Sequence, residues 1–115
     1  MHINSKDNPR IKLFRKLLTS KKARDEHGLF AVEGARNCVD TAYEAECGRI
    51  KVHSVFYTMS ALKKYEKTLN THNLFACVGP DNAFEISEEL AAKMTDEGSS
   101  QGIFMICLLY TSDAA

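Results

Sequence analysis

Residues 8–36 read NPRIKLFRKLLTSKKARDEHGLFAVEGAR, and the order of signals in that run decides the fold. Asn8 can cap a helix, and Pro9 suits the first helical position, where a missing N–H costs nothing. Ile11, Leu13, Phe14, Leu17 and Leu18 recur at helical spacing on one face. Lys12, Arg15, Lys16 and Lys22 fall on the other. Gly28 permits a turn, and Leu29-Phe30-Ala31-Val32 is a short apolar run that fits a buried strand. A basic helix therefore feeds a strand that ends in an acidic-glycine corner, Glu33-Gly34.

Lysines on a surface helix can simply be a solvated face, so the charge distribution matters. The 115-residue chain is neutral overall, with 15 basic and 15 acidic residues. The first 36 residues, however, hold nine Lys/Arg against four acids, and the remainder six against eleven. A locally basic end on a neutral domain is what a phosphate backbone attracts, because neutralising phosphates releases counterions. Binding by this domain alone is expected to be weak and salt-sensitive.

The length allows one domain with one modest core, and 44% hydrophobic content is ordinary for a soluble fold. No apolar stretch approaches the roughly 20 residues that span a bilayer. The start, MHINSKDNPR, lacks the apolar core of a secretory signal. Cys38, Cys47, Cys77 and Cys107 are scattered without a C-x-x-C pair and read as reduced thiols, three of them within apolar periodicity. These features predict a cytoplasmic protein without a membrane partner or a metal site.

Helix and strand signals alternate onward. Ala35, Cys38, Val39, Ala42 and Ala45 form a helical stripe that Gly48 can end. Residues 52–57 (VHSVFY) read as a strand. Ser60 can cap a helix running to about Asn70, with Leu62, Tyr65 and Leu69 inward. Leu74–Val78 reads as a central strand, Ala83–Ile86 as a short edge strand, and Ser87 as the cap of a helix opening with Glu88 and Glu89. Gly102–Cys107 is the last strand. The order αβαβαβ(β)αβ argues for a mostly parallel sheet with helices on both faces.

Catalytic patterns are absent: there is no G-x-G-x-x-G, P-loop, G-x-S-x-G or H-E-x-x-H. Glu33 could sit at a strand's C-terminal end as a general base, or merely brace the next helix. The four histidines fall in expected loops or on surfaces. Phe56 and Tyr57 could stack on a base, although core packing suits at least one of them. Residues 96–102 form a polar loop, a usual place for binding residues that can equally be a plain connection.

Three separated stretches, NPRIKLFRKL (8–17), KKARDEHGLFAVEGAR (21–36) and ISEELAAKMTDEGSSQGIF (86–104), resemble the N-terminal substrate-binding domain of the SpoU (TrmH-type) RNA 2′-O-ribose methyltransferases. The similarity covers about residues 3–107. It implies a three-layer α/β/α sandwich like that of kink-turn-binding ribosomal proteins. In the family this domain is linked to a knotted domain that binds S-adenosylmethionine and dimerises. The expected partner is thus a structured rRNA or tRNA, with the cofactor held outside residues 1–107. The resemblance points to Asn8, Lys12, Lys16, Lys21, Arg24 and Arg36 as RNA contacts, with Lys22 beside them. Glu33, Gly34, Gln101 and Gly102 are supporting positions, and no catalytic residue is expected. Ser100 departs from the proline common before Gln-Gly, a change expected to loosen that loop. Residues 108–115 (LLYTSDAA) match neither the family's linker nor its catalytic domain, and read as truncation or read-through or, alternatively, as a genuine short tail; on either reading the chain is expected not to be catalytic alone. A stand-alone RNA-binding protein of the kink-turn type would share the fold.

Overall fold

The structure is a computed structural model that describes residues 2–3, 5–71, 74–95 and 100–109. The expected tail from residue 110 onward and the centre of the polar loop, residues 96–99, lie outside the described residues.

Asn8 caps the first helix, α1 (Pro9–Thr19), its side chain accepting the Arg10 N–H at 2.9 Å. The basic segment does not continue as one helix. Ser20 turns extended, closes α1 through its N–H on the Lys16 carbonyl, and caps α2 (Lys21–His27) by accepting the Ala23 N–H. Gly28 then turns the chain into strand β2 (Leu29–Glu33); the short β1 (His2–Ile3) precedes α1. The remaining elements are α3 (Ala35–Glu46), β3 (Ile50–Tyr57), α4 (Met59–Lys64), α5 (Glu66–Leu69), α6 (Leu74–Val78), β4 (Ala83–Ile86), α7 (Glu88–Lys93) and β5 (Ile103–Leu109).

The five strands form one sheet in the order β1-β4-β3-β5-β2. β1, β4 and β3 run parallel, and β5 runs antiparallel to both β3 and β2. Four strands therefore share a direction and the last one reverses, which makes the expected mostly parallel sheet a mixed one. Two apolar cores lie on its two faces. On one, Ile11, Phe14 and Leu17 of α1 and Leu90 of α7 meet Phe56, Phe84, Phe104 and Ile106. There Phe14 stands edge-on to Phe104 with centroids 5.2 Å apart, the arrangement that ring quadrupoles favour. On the other, Cys38, Val39 and Ala42 of α3, with residues of α4–α6, cover Val52, Val55, Met105 and Cys107. The register slips between Val52 and Ser54 of β3. That bulge lets Val52 and Val55 share a face although they are three apart.

Three expectations are corrected. Leu74–Val78 is a helix, not a central strand. Its buried residues Leu74 and Val78 are four apart and Ala76 between them is exposed, while β4 occupies the position beside β3. A five-residue apolar run carries no periodicity long enough to separate the two states. Ala83–Ile86 is a strand, but β1 lies outside it, so it is not the edge. The helix after β3 is capped by Thr58, whose Oγ1 accepts the Ala61 N–H at 3.1 Å, and it breaks at Tyr65.

All four cysteines are free, with Cys38 and Cys107 buried, Cys77 half-buried and Cys47 exposed. Burial pushes the Cys107 thiol up to about 12, and burial followed by the charge of Cys107 raises Cys38 as well. Since thiolate is the reactive form, a thiol-exchange reagent at pH 8 is expected to modify Cys47 first and Cys38 and Cys107 only on unfolding. Uniform labelling of all four in the native protein would contradict this packing. Among the described residues no helix is long and apolar enough to cross a membrane, and no cluster of ligating side chains could hold a metal.

Candidate nucleic-acid interface

Two surfaces carry the expected residues, and both border β2, one of the two edge strands. The first is the outer face of α1 and α2. Because Ile11, Phe14 and Leu17 are locked into the core, Lys12, Arg15 and Lys16 are forced outward, and Lys22 projects from α2. Lys12, Lys16 and Lys22 form no ion pair with a described residue. The other expected contacts are already engaged. Lys21 pairs with Asp25 at 2.9 Å on the exposed side of α2, an i,i+4 pair worth only a few tenths of a kcal/mol, about 0.3–0.5. Arg24 donates Nη1–H to the Leu17 carbonyl at 2.7 Å, closing the α1 C-terminus and bracing α1 against α2. Asn8 is spent on its cap. Arg10 was not among the expected contacts; its guanidinium lies 4.8 Å from the Phe84 ring centroid.

The second surface is an open groove of about 880 Å³ between the C-terminal half of β2 and α3. It gathers three of the supporting positions, Glu33, Gly34 and the sequence-distant Gln101, together with Arg36, which was expected as an RNA contact. Arg36 thus lies across the sheet from the α1 lysines, paired with Asp40 at 3.4 Å on an exposed helix turn.

The glycine corners explain why this groove forms. Gln101 Oε1 accepts the Ala35 N–H at 2.7 Å, across 66 residues of sequence, and so caps α3 in place of the side chain that Gly34 lacks. The Gly34 N–H donates to the Ile103 carbonyl and the Thr58 N–H to the Gly102 carbonyl. A Cβ on Gly34 would lie 3.3 Å from Gln101 Oε1, and one on Gly102 only 2.6 Å from Thr58 Oγ1. Residues 33–34 and 101–102 therefore interlock the starts of α3 and α4. Ser100 does not leave the turn open. Its Oγ accepts the Gly102 N–H at 2.9 Å, a bond proline cannot make. Removing the Gln101 carboxamide as Gln101→Ala is expected to cost about 1 kcal/mol, the net worth of one such bond, read by urea denaturation.

Phe56 is fully buried and cannot meet a ligand, whereas Tyr57 is half-buried, edge-on to Phe75 at 5.3 Å. His53, on the bulge, has its pKa lowered by burial and then by the Arg10 and Lys51 charges. Sequence reasoning missed Asn37 and Tyr65, both lining the groove. Asn37 sits in the first turn of α3 at the acidic-glycine corner, a signal that was legible; Tyr65 was read only as core.

The fold that carries these two surfaces matches a known domain family. The sequence model of the MRM3-like substrate-binding domain matches residues 8–105, and the chain belongs to that family. Among solved structures, an RNA 2′-O ribose methyltransferase aligns over 100% of this chain and 40% of its own length, at 25% identity and a TM-score of 0.70. An rRNA methyltransferase from Sinorhizobium meliloti aligns over 97% and 38%, at 24% identity and 0.65. The SpoU methyltransferase AviRb from Streptomyces viridochromogenes, solved with AdoMet, aligns over 93% and 37%, at 19% identity and 0.60. The chain thus spans about two fifths of the length of these methyltransferases. No protein of curated function matches it significantly by sequence.

Proposed function

We propose that this chain is the RNA-recognition domain of an S-adenosylmethionine-dependent RNA 2′-O-ribose methyltransferase that acts on structured rRNA or tRNA. The observation that carries the reading is the set of exposed lysines on α1 and α2, Lys12, Lys16 and Lys22, which form no ion pair with a described residue. Its task is positional. Lysines grip phosphates and fix the register of a stem-loop, so that one ribose 2′-hydroxyl reaches a methyl donor held elsewhere. The donor would be held by a second, knotted domain joined to this one and dimerising through it. The β2–α3 groove does not suit that cofactor. Its leading helix N–H is already bound by Gln101, and Arg36 and Glu44 are paired with Asp40 and Arg49.

Mobility-shift titration of the full chain with rRNA hairpins and with tRNA tests the reading. Shifts with structured RNA that vanish at high salt are expected. No shift with either RNA at low salt would reject it. The genomic reading frame past residue 107 tests the two-domain arrangement. A knotted domain following it is the expected finding, and its absence would favour a stand-alone RNA-binding protein.

A further inference from the structure

The groove between β2 and α3 holds two side-chain amides whose orientation is fixed by the backbone. Gln101 must turn its oxygen to the Ala35 N–H, which directs its Nε2 donors elsewhere. Asn37 must turn its nitrogen to the Glu33 carbonyl, donating at 3.1 Å, and this frees its Oδ1 as an acceptor. Neither remaining group bonds a described residue. The two amides meet at Gly34: a Cβ there would lie 3.3 Å from Gln101 Oε1 and 3.9 Å from Asn37 Nδ2. Gln101, with its Nε2 donors, and Asn37, with its Oδ1 acceptor, thus line the groove beside Gly34. Its wall also carries the half-buried Tyr65 ring, with the Lys64 ammonium 5.4 Å from the centroid.

The charges of the groove argue against phosphate as its ligand. Glu33, Asp40 and Glu44 face it together with Arg36 and Lys64, so its balance is slightly acidic. A neutral, planar ligand with adjacent donor and acceptor suits it better. Every nucleobase carries such a pair on its Watson–Crick edge and a face that stacks on aromatic rings. We propose that the β2–α3 groove takes the base of an unpaired RNA nucleotide, read by Gln101 and Asn37 and stacked against Tyr65; this rests on the RNA reading above. The α1 lysines then hold the strand, and the groove checks that a base is free of its pair.

The test uses the full chain and two RNA hairpins with the same stem, one with an intact seven-nucleotide loop and one with abasic loop riboses. Gln101→Glu keeps an oxygen for the Ala35 N–H and replaces the donor by an acceptor. Tyr65→Leu keeps apolar volume and removes the ring. Each is expected to weaken binding of the intact hairpin by about fivefold or more, the lower end of a stacked base's contribution, while abasic-hairpin binding stays at the parent level. Equal binding of parent and variants to the intact hairpin would overturn the groove assignment and leave the RNA reading standing. Equal loss with both hairpins would also overturn it, since the effect would then not involve a base. Absence of binding to either hairpin by the parent would overturn both. Protection of the groove by an extended peptide but not by RNA would overturn the assignment in favour of a polypeptide ligand.

Discussion

Gly102→Ala is expected to destabilise the domain by about 2–5 kcal/mol, summed from left-handed backbone strain of about 1–2 and overpacking of about 1–3. Gly102 has φ +80°, and a Cβ there would stand 2.6 Å from Thr58 Oγ1 and 3.2 Å from the Ala61 Cβ. Thr58 cannot yield, because it is buried and its hydroxyl caps α4 while its N–H holds the Gly102 carbonyl. Gly48→Ala separates the two contributions. Gly48 has a similar φ of +81° but nothing within 4 Å of an added Cβ, so only the backbone strain of about 1–2 kcal/mol should appear. Urea denaturation of both variants measures the difference. Equal losses would mean that the corner does not pack as tightly as the structure shows.

The other large effect is expected on binding rather than on folding. Reversing two charges as Lys12→Glu with Lys16→Glu should weaken affinity for structured RNA about tenfold or more at low salt, and by similar factors for unrelated sequences. Both side chains are exposed and make no ion pair with a described residue, so stability should change by no more than about 0.5 kcal/mol. Reversal of Lys21, already paired with Asp25, should do less. Arg24 should behave differently, because its guanidinium holds the Leu17 carbonyl. Substitution there is expected to lower stability as well as binding, and the two readouts together distinguish grip from bracing.

How much of this was legible in the sequence varied with the physics involved. Asn8, Pro9 and the Ile11–Leu18 stripe were read because capping and helical periodicity are local. The Ser20 break was not, although its cap on the Ala23 N–H is local; the Arg24 contact with the Leu17 carbonyl joins the two helices and lies beyond helical periodicity. Leu74–Val78 misled because a fully apolar pentapeptide looks alike in either state; what makes it a helix is that β4 takes the place beside β3. The reversed direction of β5 is likewise a tertiary fact, invisible in the run Ile103–Cys107. Family resemblance brought residues 33–34 and 101–102 together, but their roles came only from geometry. Gln101 caps a helix that begins 66 residues earlier, and no local rule anticipates such a cap. The lysines of α1 were identified from their spacing, whereas the groove residues Asn37 and Tyr65 emerged from the way α3 and α4 close over the β2 edge.

The salt dependence of RNA binding by the unmodified chain tests the central claim most directly. With Lys12, Lys16 and Lys22 on phosphates, log affinity should fall linearly with log salt with a slope of about −2 to −3, and the Lys12→Glu/Lys16→Glu variant should lose most of that slope. A flat salt response, or a variant with the parent's slope and affinity, would contradict the assignment of the α1–α2 face to RNA.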